Sequence, residues 1–174
     1  MLSVDELKAR IRIVPDWPKP GISFKDITTL LRDGAAWRSA IDQMAALCRP
    51  LRPDVIVAPE ARGFFVGSAL AYALGAGCVP VRKRGKLPAE TLRGEYLLEY
   101  GADVLEIHRD AFKPGSRVLV VDDVLATGGT VAATIDLVSQ LGGNVVGVGL
   151  LIELTYIPGR ESLKGYEVVS LIKY

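Results

Sequence analysis

Two adjacent carboxylates, Asp122 and Asp123, close the apolar run Val118-Leu119-Val120-Val121. After Val124-Leu125 comes a stretch of small residues, Ala126-Thr127-Gly128-Gly129-Thr130. A short run of β-branched and aliphatic residues reads as a buried parallel strand, and Thr130 to Leu141 reads as a helix that stops at Gly142-Gly143. A small-residue loop between strand and helix suits an anion. Glycine lets the backbone approach closely and take positive φ, while successive N–H groups and the positive helix end form a nest. The hydroxyls of Thr127 and Thr130 add donors. The two aspartates would repel that same anion, so they read as acceptors for hydroxyl groups on the molecule carrying it. A ribose with a 5-phosphate has both. Rival phosphate loops are excluded, because neither GxxxxGK[ST] nor GxGxxG occurs in the chain.

The rest of the chain supplies elements that could present such a loop. Val4 to Ile11 has helical spacing, and Pro15, Pro18 and Pro20-Gly21 then interrupt regular structure up to Ile22. Ala35 to Leu47 reads as a helix opened by Asp33-Gly34. From Val55 the pattern alternates: strand Val55 to Ala58, helix Phe64 to Leu74 closed by Gly75, strand Cys78 to Val81, then the Val118 strand and its helix. Strands Val145 to Ile152 and Val168 to Ile172 follow. Repeated strand, helix, strand units predict an α/β fold with a mostly parallel central sheet flanked by helices. Arg82 to Tyr100 breaks that rhythm, being polar, basic at its start and glycine-containing, and is expected to be an excursion from the sheet of the kind that forms lids. With no linker or repeat, residues 1–174 are expected to form a single domain.

Composition narrows the partners. The 174 residues carry a net charge of +1, so no bulk field recruits nucleic acid or an anionic membrane. Two cysteines, Cys48 and Cys78, and one histidine, His108, cannot build a Cys/His zinc site. The cysteines are expected to be buried free thiols. Met1 to Arg12 carries Asp5 and Glu6 without a long apolar core, and no stretch is apolar enough to span a bilayer. The expectation is a soluble, cytoplasmic protein.

The thirteen residues Val118 to Thr130 resemble the phosphoribosyl pyrophosphate (PRPP) signature of the type I phosphoribosyltransferases. By that resemblance Ala126, Thr127, Gly128, Gly129 and Thr130 hold the 5-phosphate of PRPP, and Asp122 and Asp123 hold the ribose hydroxyls. Further segments are similar to the adenine phosphoribosyltransferase branch. They are Pro20 to Thr28, Glu60 to Phe64, Val81 to Pro88, Leu98 to Gly101 and Leu105 to His108, in order within the span from about Ile11 to Thr155. The resemblance implies a Rossmann-like type I fold with a small N-terminal base-binding hood and a flexible loop. It implies transfer of the phosphoribosyl group from PRPP to adenine, giving AMP and pyrophosphate in purine salvage. It also implies Mg²⁺ held mainly by PRPP and water, with no direct protein ligand, and a homodimer.

Residue chemistry and resemblance agree with different force at the remaining positions. Around Ser23 and Phe24 an aromatic ring and backbone amides suit a flat, neutral base; the resemblance puts adenine there, while the residues alone leave Phe24 equally open as core. Arg62 follows the strand at Val55, at the same sheet edge as the phosphate loop, and Glu60 is its expected partner; the resemblance places Arg62 at the base pocket. Arg82, Lys83 and Lys86 lie in a basic cluster with Arg84, which the residues alone allow to be a solvated face and the resemblance assigns to pyrophosphate, partly across a dimer interface. Glu99 would ordinarily be surface charge; the resemblance places it over the reacting base. His108 is expected on a helix surface, without chemistry. A sister enzyme for xanthine, guanine or orotate, or a PRPP-sensing regulator of the same fold, stays open beside the adenine reading.

Overall fold

The structure is a computed structural model and describes residues 1–98 and 101–174. A short helix, α1 (Val4–Lys8), opens on a capping box in which Ser3 and Glu6 satisfy each other's backbone N–H groups. Strands β1 (Arg12–Val14) and β2 (Phe24–Asp26) pair antiparallel as a separate two-stranded sheet. Helices α2 (Thr28–Leu31) and α3 (Gly34–Cys48) follow, and Asp33 caps α3 by accepting from Ala36 N–H.

The main sheet then begins with β3 (Val55–Pro59), α4 (Gly63–Leu74), β4 (Gly77–Lys83), β5 (Thr91–Leu98) and β6 (Gly101–His108). It is completed by β7 (Arg117–Leu125), α5 (Gly129–Gln140), β8 (Asn144–Glu153) and β9 (Val168–Lys173). Its order is β5-β6-β4-β3-β7-β8-β9, parallel from β4 to β9 and antiparallel at β6 and β5.

Strand β7 is central and buried on both faces. Leu119 and Val121 join the core formed with α3 and α4, through Ile41, Met44, Val66 and Leu70. Val118 and Val120 join the opposite core with Val131, Ile135 and Val138 of α5. The period-two alternation of side chains therefore serves two hydrophobic layers at once, and this fixes the register of β7. Any slip by one residue would also turn the acids at its end to the wrong face.

Three expectations are corrected. The segment after Arg82 is not an excursion: β5 and β6 form a hairpin that extends the sheet, joined to it by Arg82↔Glu106 and Lys83↔Leu105. His108 lies at the end of strand β6, not on a helix, where its Nε2 accepts from Ala89 N–H at 3.4 Å. Cys48 is buried, but Cys78 is exposed; both are free. Among the described residues no helix is long and apolar enough to cross a membrane.

Candidate active site

The chain leaves β7 at Leu125 and enters α5 at Gly129, so the small-residue loop stands over the carboxyl edge of a parallel sheet. Gly128 caps α5 with φ of 85°. That left-handed conformation favours glycine, and an added Cβ would in addition overlap Ser162 Oγ and the Gly159 carbonyl. Ala126, Thr127, Gly128, Gly129 and Thr130 line one cavity of about 190 Å³ together with Glu60, Ala61, Arg62, Asp122 and Asp123. The five loop residues and two acids expected to share a ligand are thus brought together.

Asp122 and Asp123 are nearly inaccessible, at 8% and 4% exposure. Asp122 Oδ1 accepts from the backbone N–H of Asp123 at 2.8 Å. It also sits so close to the start of α4 that a Cβ on Gly63 would lie 2.8 Å from it. Burial raises the pKa of both acids, and the charge of Asp123 raises that of Asp122 further. Arg62 opposes this at Asp123, with Nε 2.8 Å from Oδ2. The contact is an ion pair without hydrogen-bond alignment, and Oδ2 is buried with no aligned donor. A buried carboxylate oxygen in that state is costly to the fold and available to a hydroxyl arriving from a ligand.

Glu60, expected to pair with Arg62, does something else. Its carboxylate accepts from Arg82 Nε at 2.8 Å and from Lys86 Nζ at 3.1 Å. Burial pushes its pKa up, yet the hydrogen bonds from Arg82 and Lys86 outweigh it and hold the group below its ordinary value. The cause is register: β3 pairs with β4 at Pro59↔Val81, which sets Glu60 beside Arg82. Arg82 and Lys86 therefore reach the rim of the cavity through Glu60 and do not line it, and Lys83 is exposed at the end of β4. Glu99 lies outside the described residues.

A second cavity, of about 290 Å³, is lined by Gly21, Ile22, Ser23, Phe24 and Lys25 on one side and by Leu154, Tyr156 and Ile157 on the other. Arg62, Val124 and Ala126 line it too, and so belong to both cavities. Phe24 is half-buried and belongs to neither core: the Arg62 guanidinium lies 4.6 Å from its ring centroid, and Trp17 meets it edge-on at 4.5 Å. Ser23 Oγ accepts from Lys25 Nζ at 2.7 Å. Lys25 is itself buried, and desolvation lowers its pKa.

Sequence reasoning missed Glu60 as the hub of the basic cluster, the far wall of the second cavity, and the 3-10 turn Gly159–Leu163 behind the loop. Pro158-Gly159 was the available signal for that turn.

A small-residue loop at a helix start beside two buried acids has the chemistry to take a sugar phosphate, and the family described as the phosphoribosyl transferase domain matches residues 26–171. The class is therefore that of the phosphoribosyltransferases. An adenine phosphoribosyltransferase of Clostridium perfringens is 60% identical over 168 residues, covering 97% of this chain and 98% of the relative. The crystal structure of adenine phosphoribosyltransferase from Thermoanaerobacter pseudethanolicus has 55% identity and a TM-score of 0.97, over 99% of this chain and 100% of that one. The Saccharomyces cerevisiae enzyme, solved with adenine and an imino-altritol bisphosphate, has 39% identity and a TM-score of 0.93, over 97% and 98%. The chain belongs to the adenine phosphoribosyltransferase family.

Proposed function

We propose that the protein transfers the 5-phosphoribosyl group of PRPP to adenine, forming AMP and releasing pyrophosphate, as a single-domain, cytoplasmic purine-salvage enzyme that uses Mg²⁺ and acts as a homodimer. One observation carries this reading: the polar, acid-lined cavity and the aromatic cavity share Arg62, Val124 and Ala126. A ribose held at Asp122 and Asp123 with its phosphate in the loop directs C1 toward the space in front of Phe24. Adenine against Phe24 then presents N9 to C1.

In the reaction N9 forms its bond to C1 with inversion, while the C1–O bond to pyrophosphate breaks and its electron pair departs with pyrophosphate. The protein's work is to align two bound reactants and to stabilise charge on the leaving group. Gly128-Gly129 and the threonine hydroxyls fix the phosphate, and the paired acids fix the ribose. Arg62 neutralises charge between the two sites. Arg82, Lys83 and Lys86 meet the pyrophosphate, the first and last by exchanging Glu60 for it or by acting from the neighbouring subunit. Glu99 takes or shares the proton of the purine imidazole ring as N9 becomes bonded. Glu99→Leu is expected to lower kcat by more than about tenfold with little change in KM, and wild-type turnover would remove Glu99 from the mechanism.

Among the described residues no cluster of three or more metal-ligating side chains occurs. Mg²⁺ keeps several waters and binds substrate phosphates with few protein carboxylates. Asp122 and Asp123, with one acceptor oxygen lacking an aligned donor, are the residues that would stand nearest to it. When bound, the ion supplies neutralisation of pyrophosphate charge. The dimer reading is supported by Phe65 and Tyr72, which stand 54% and 92% exposed on α4 beside a groove shared with α3. An eluting mass equal to that of one 18.7 kDa chain would contradict it.

The deciding experiment incubates the protein with PRPP, Mg²⁺ and, separately, adenine, guanine, xanthine and orotate. AMP from adenine alone is the expected result. A nucleotide from another base at comparable rate would move the chain to a sister activity.

A further inference from the structure

The 3-10 turn Gly159–Leu163 packs on the outer side of the phosphate loop, away from the cavity. The contact is intimate: a Cβ on Gly159 would overlap the Ala126 carbonyl, and one on Gly128 would overlap Ser162 Oγ. Ser162 Oγ donates to the Gly159 carbonyl at 2.7 Å and lies 3.4 Å from that of Thr127. Where the turn sits therefore determines where the loop's backbone sits. A five-residue 3-10 turn is a weak element by itself, and this one has no side-chain cap. Something must hold it.

Arg160 does so. Its Nε and one terminal nitrogen donate to the two oxygens of Glu153 at 2.5 and 2.8 Å, a bidentate fork. Another of its nitrogens donates to the Val168 carbonyl at 3.3 Å. Glu153 is buried at the end of β8 and also accepts from Ser170 of β9. Leu163, at the other end of the turn, is buried in the core beneath α5. The turn is thus riveted at both ends to the rigid sheet, with the phosphate loop pressed against its middle. Arg160 does not line the phosphate cavity despite its charge.

We propose that Arg160, locked on Glu153, is a positioning residue for the 5-phosphate grip: it holds the Gly159–Leu163 turn against the loop and so sets the direction of the loop's amides. This rests on the reading of Ala126 to Thr130 as the phosphate site. The test compares Arg160→Met, Arg160→Lys, Gly159→Ala and Thr130→Ala in two assays, KM for PRPP against KM for adenine and equilibrium binding of ribose 5-phosphate. Misplacement of a binding group by about 1 Å can cost up to about 10²-fold. Arg160→Met is therefore expected to weaken PRPP and ribose 5-phosphate by about tenfold or more, with adenine KM within about twofold, and Arg160→Lys to restore part of the loss. Should Arg160→Met fail to fold, Gly159→Ala keeps the Glu153 pair intact, pushes a methyl group against Ala126, and must raise the PRPP KM clearly more than the adenine KM, Ala126 lining both cavities. Folded Arg160→Met or Gly159→Ala protein with unchanged PRPP KM, or with both KM values raised equally, would overturn the inference. If in that case Thr130→Ala still weakens ribose 5-phosphate, the loop reading survives alone; if Thr130→Ala has no effect, the loop reading falls and the inference with it.

Discussion

The two halves of the proposed site, one for the phosphate and one for the base, are built on opposite plans. The phosphate half comes mainly from one continuous stretch, Asp122 to Thr130, carried by a strand buried on both faces and by the helix that follows it, with Glu60 to Arg62 at its side. The base half is gathered from separate places: Gly21 to Lys25 running into β2, Arg62 before α4, Val124 and Ala126 at the end of β7 and the start of the loop, and Leu154, Tyr156 and Ile157 after β8. A charged ligand of fixed shape needs donors held by regular structure, because misdirected amides lose most of their electrostatic value. A flat neutral ring needs chiefly an apolar slot, and that tolerates assembly from pieces. The two halves should therefore respond differently to mutation.

The largest effect is expected in the rigid half. Gly128→Ala puts a side chain where φ is 85° and where Ser162 and the Gly159 carbonyl already stand. PRPP KM should rise about 10²-fold, with circular dichroism unchanged. A PRPP KM near wild type would mean that the loop yields as readily as the base pocket and would dissolve the contrast.

Asp122→Asn is the next in size and separates stability from function. The substitution keeps the acceptor for Asp123 N–H and removes one of two buried, mutually repelling charges. The folded pKa of Asp122 is raised above its ordinary value of 3.8, so its contribution to stability is greatest below that pH and is lost as pH rises toward the folded pKa. At neutral pH the variant should therefore melt at a higher temperature than wild type while binding PRPP about tenfold more weakly. A lower Tm at neutral pH would show that Asp122 is not under the repulsion assigned to it.

The smallest effect belongs to the assembled half. Phe24→Leu keeps an apolar surface but loses the aromatic face that would stack on the base, a ring contact worth about 0.5–1.5 kcal/mol, along with the ring's packing on Arg62 and Trp17. Adenine KM should rise roughly three- to tenfold, with PRPP KM unchanged. A rise in PRPP KM of the same size would show that Arg62 transmits the change from the base pocket to Asp123.

The same difference explains what could be read in the sequence. Strand β7, its acids, the loop and α5 are contiguous, and local pattern sufficed to place them within a residue or so, except that the strand runs on through Asp122 and Asp123 to Leu125. The hairpin of β5 and β6 escaped because its attachment to the sheet rests on two pairs, Arg82↔Glu106 and Lys83↔Leu105, that local sequence does not reveal. The partner of Glu60 was misassigned for a related reason. Arg62 is near in sequence, but the β3–β4 register brings Arg82, and Arg62 turns instead to Asp123. Phe24 could not be separated from core by sequence, since only packing shows that its ring faces a cavity.

The most direct measurement is a crystal structure of the protein with ribose 5-phosphate or PRPP bound. The phosphate should lie within hydrogen-bond distance of backbone amides between Ala126 and Thr130, with the sugar hydroxyls on Asp122 and Asp123. A phosphate bound at the Arg82–Lys86 cluster instead, with the Gly128 loop empty, would contradict the assignment of both halves.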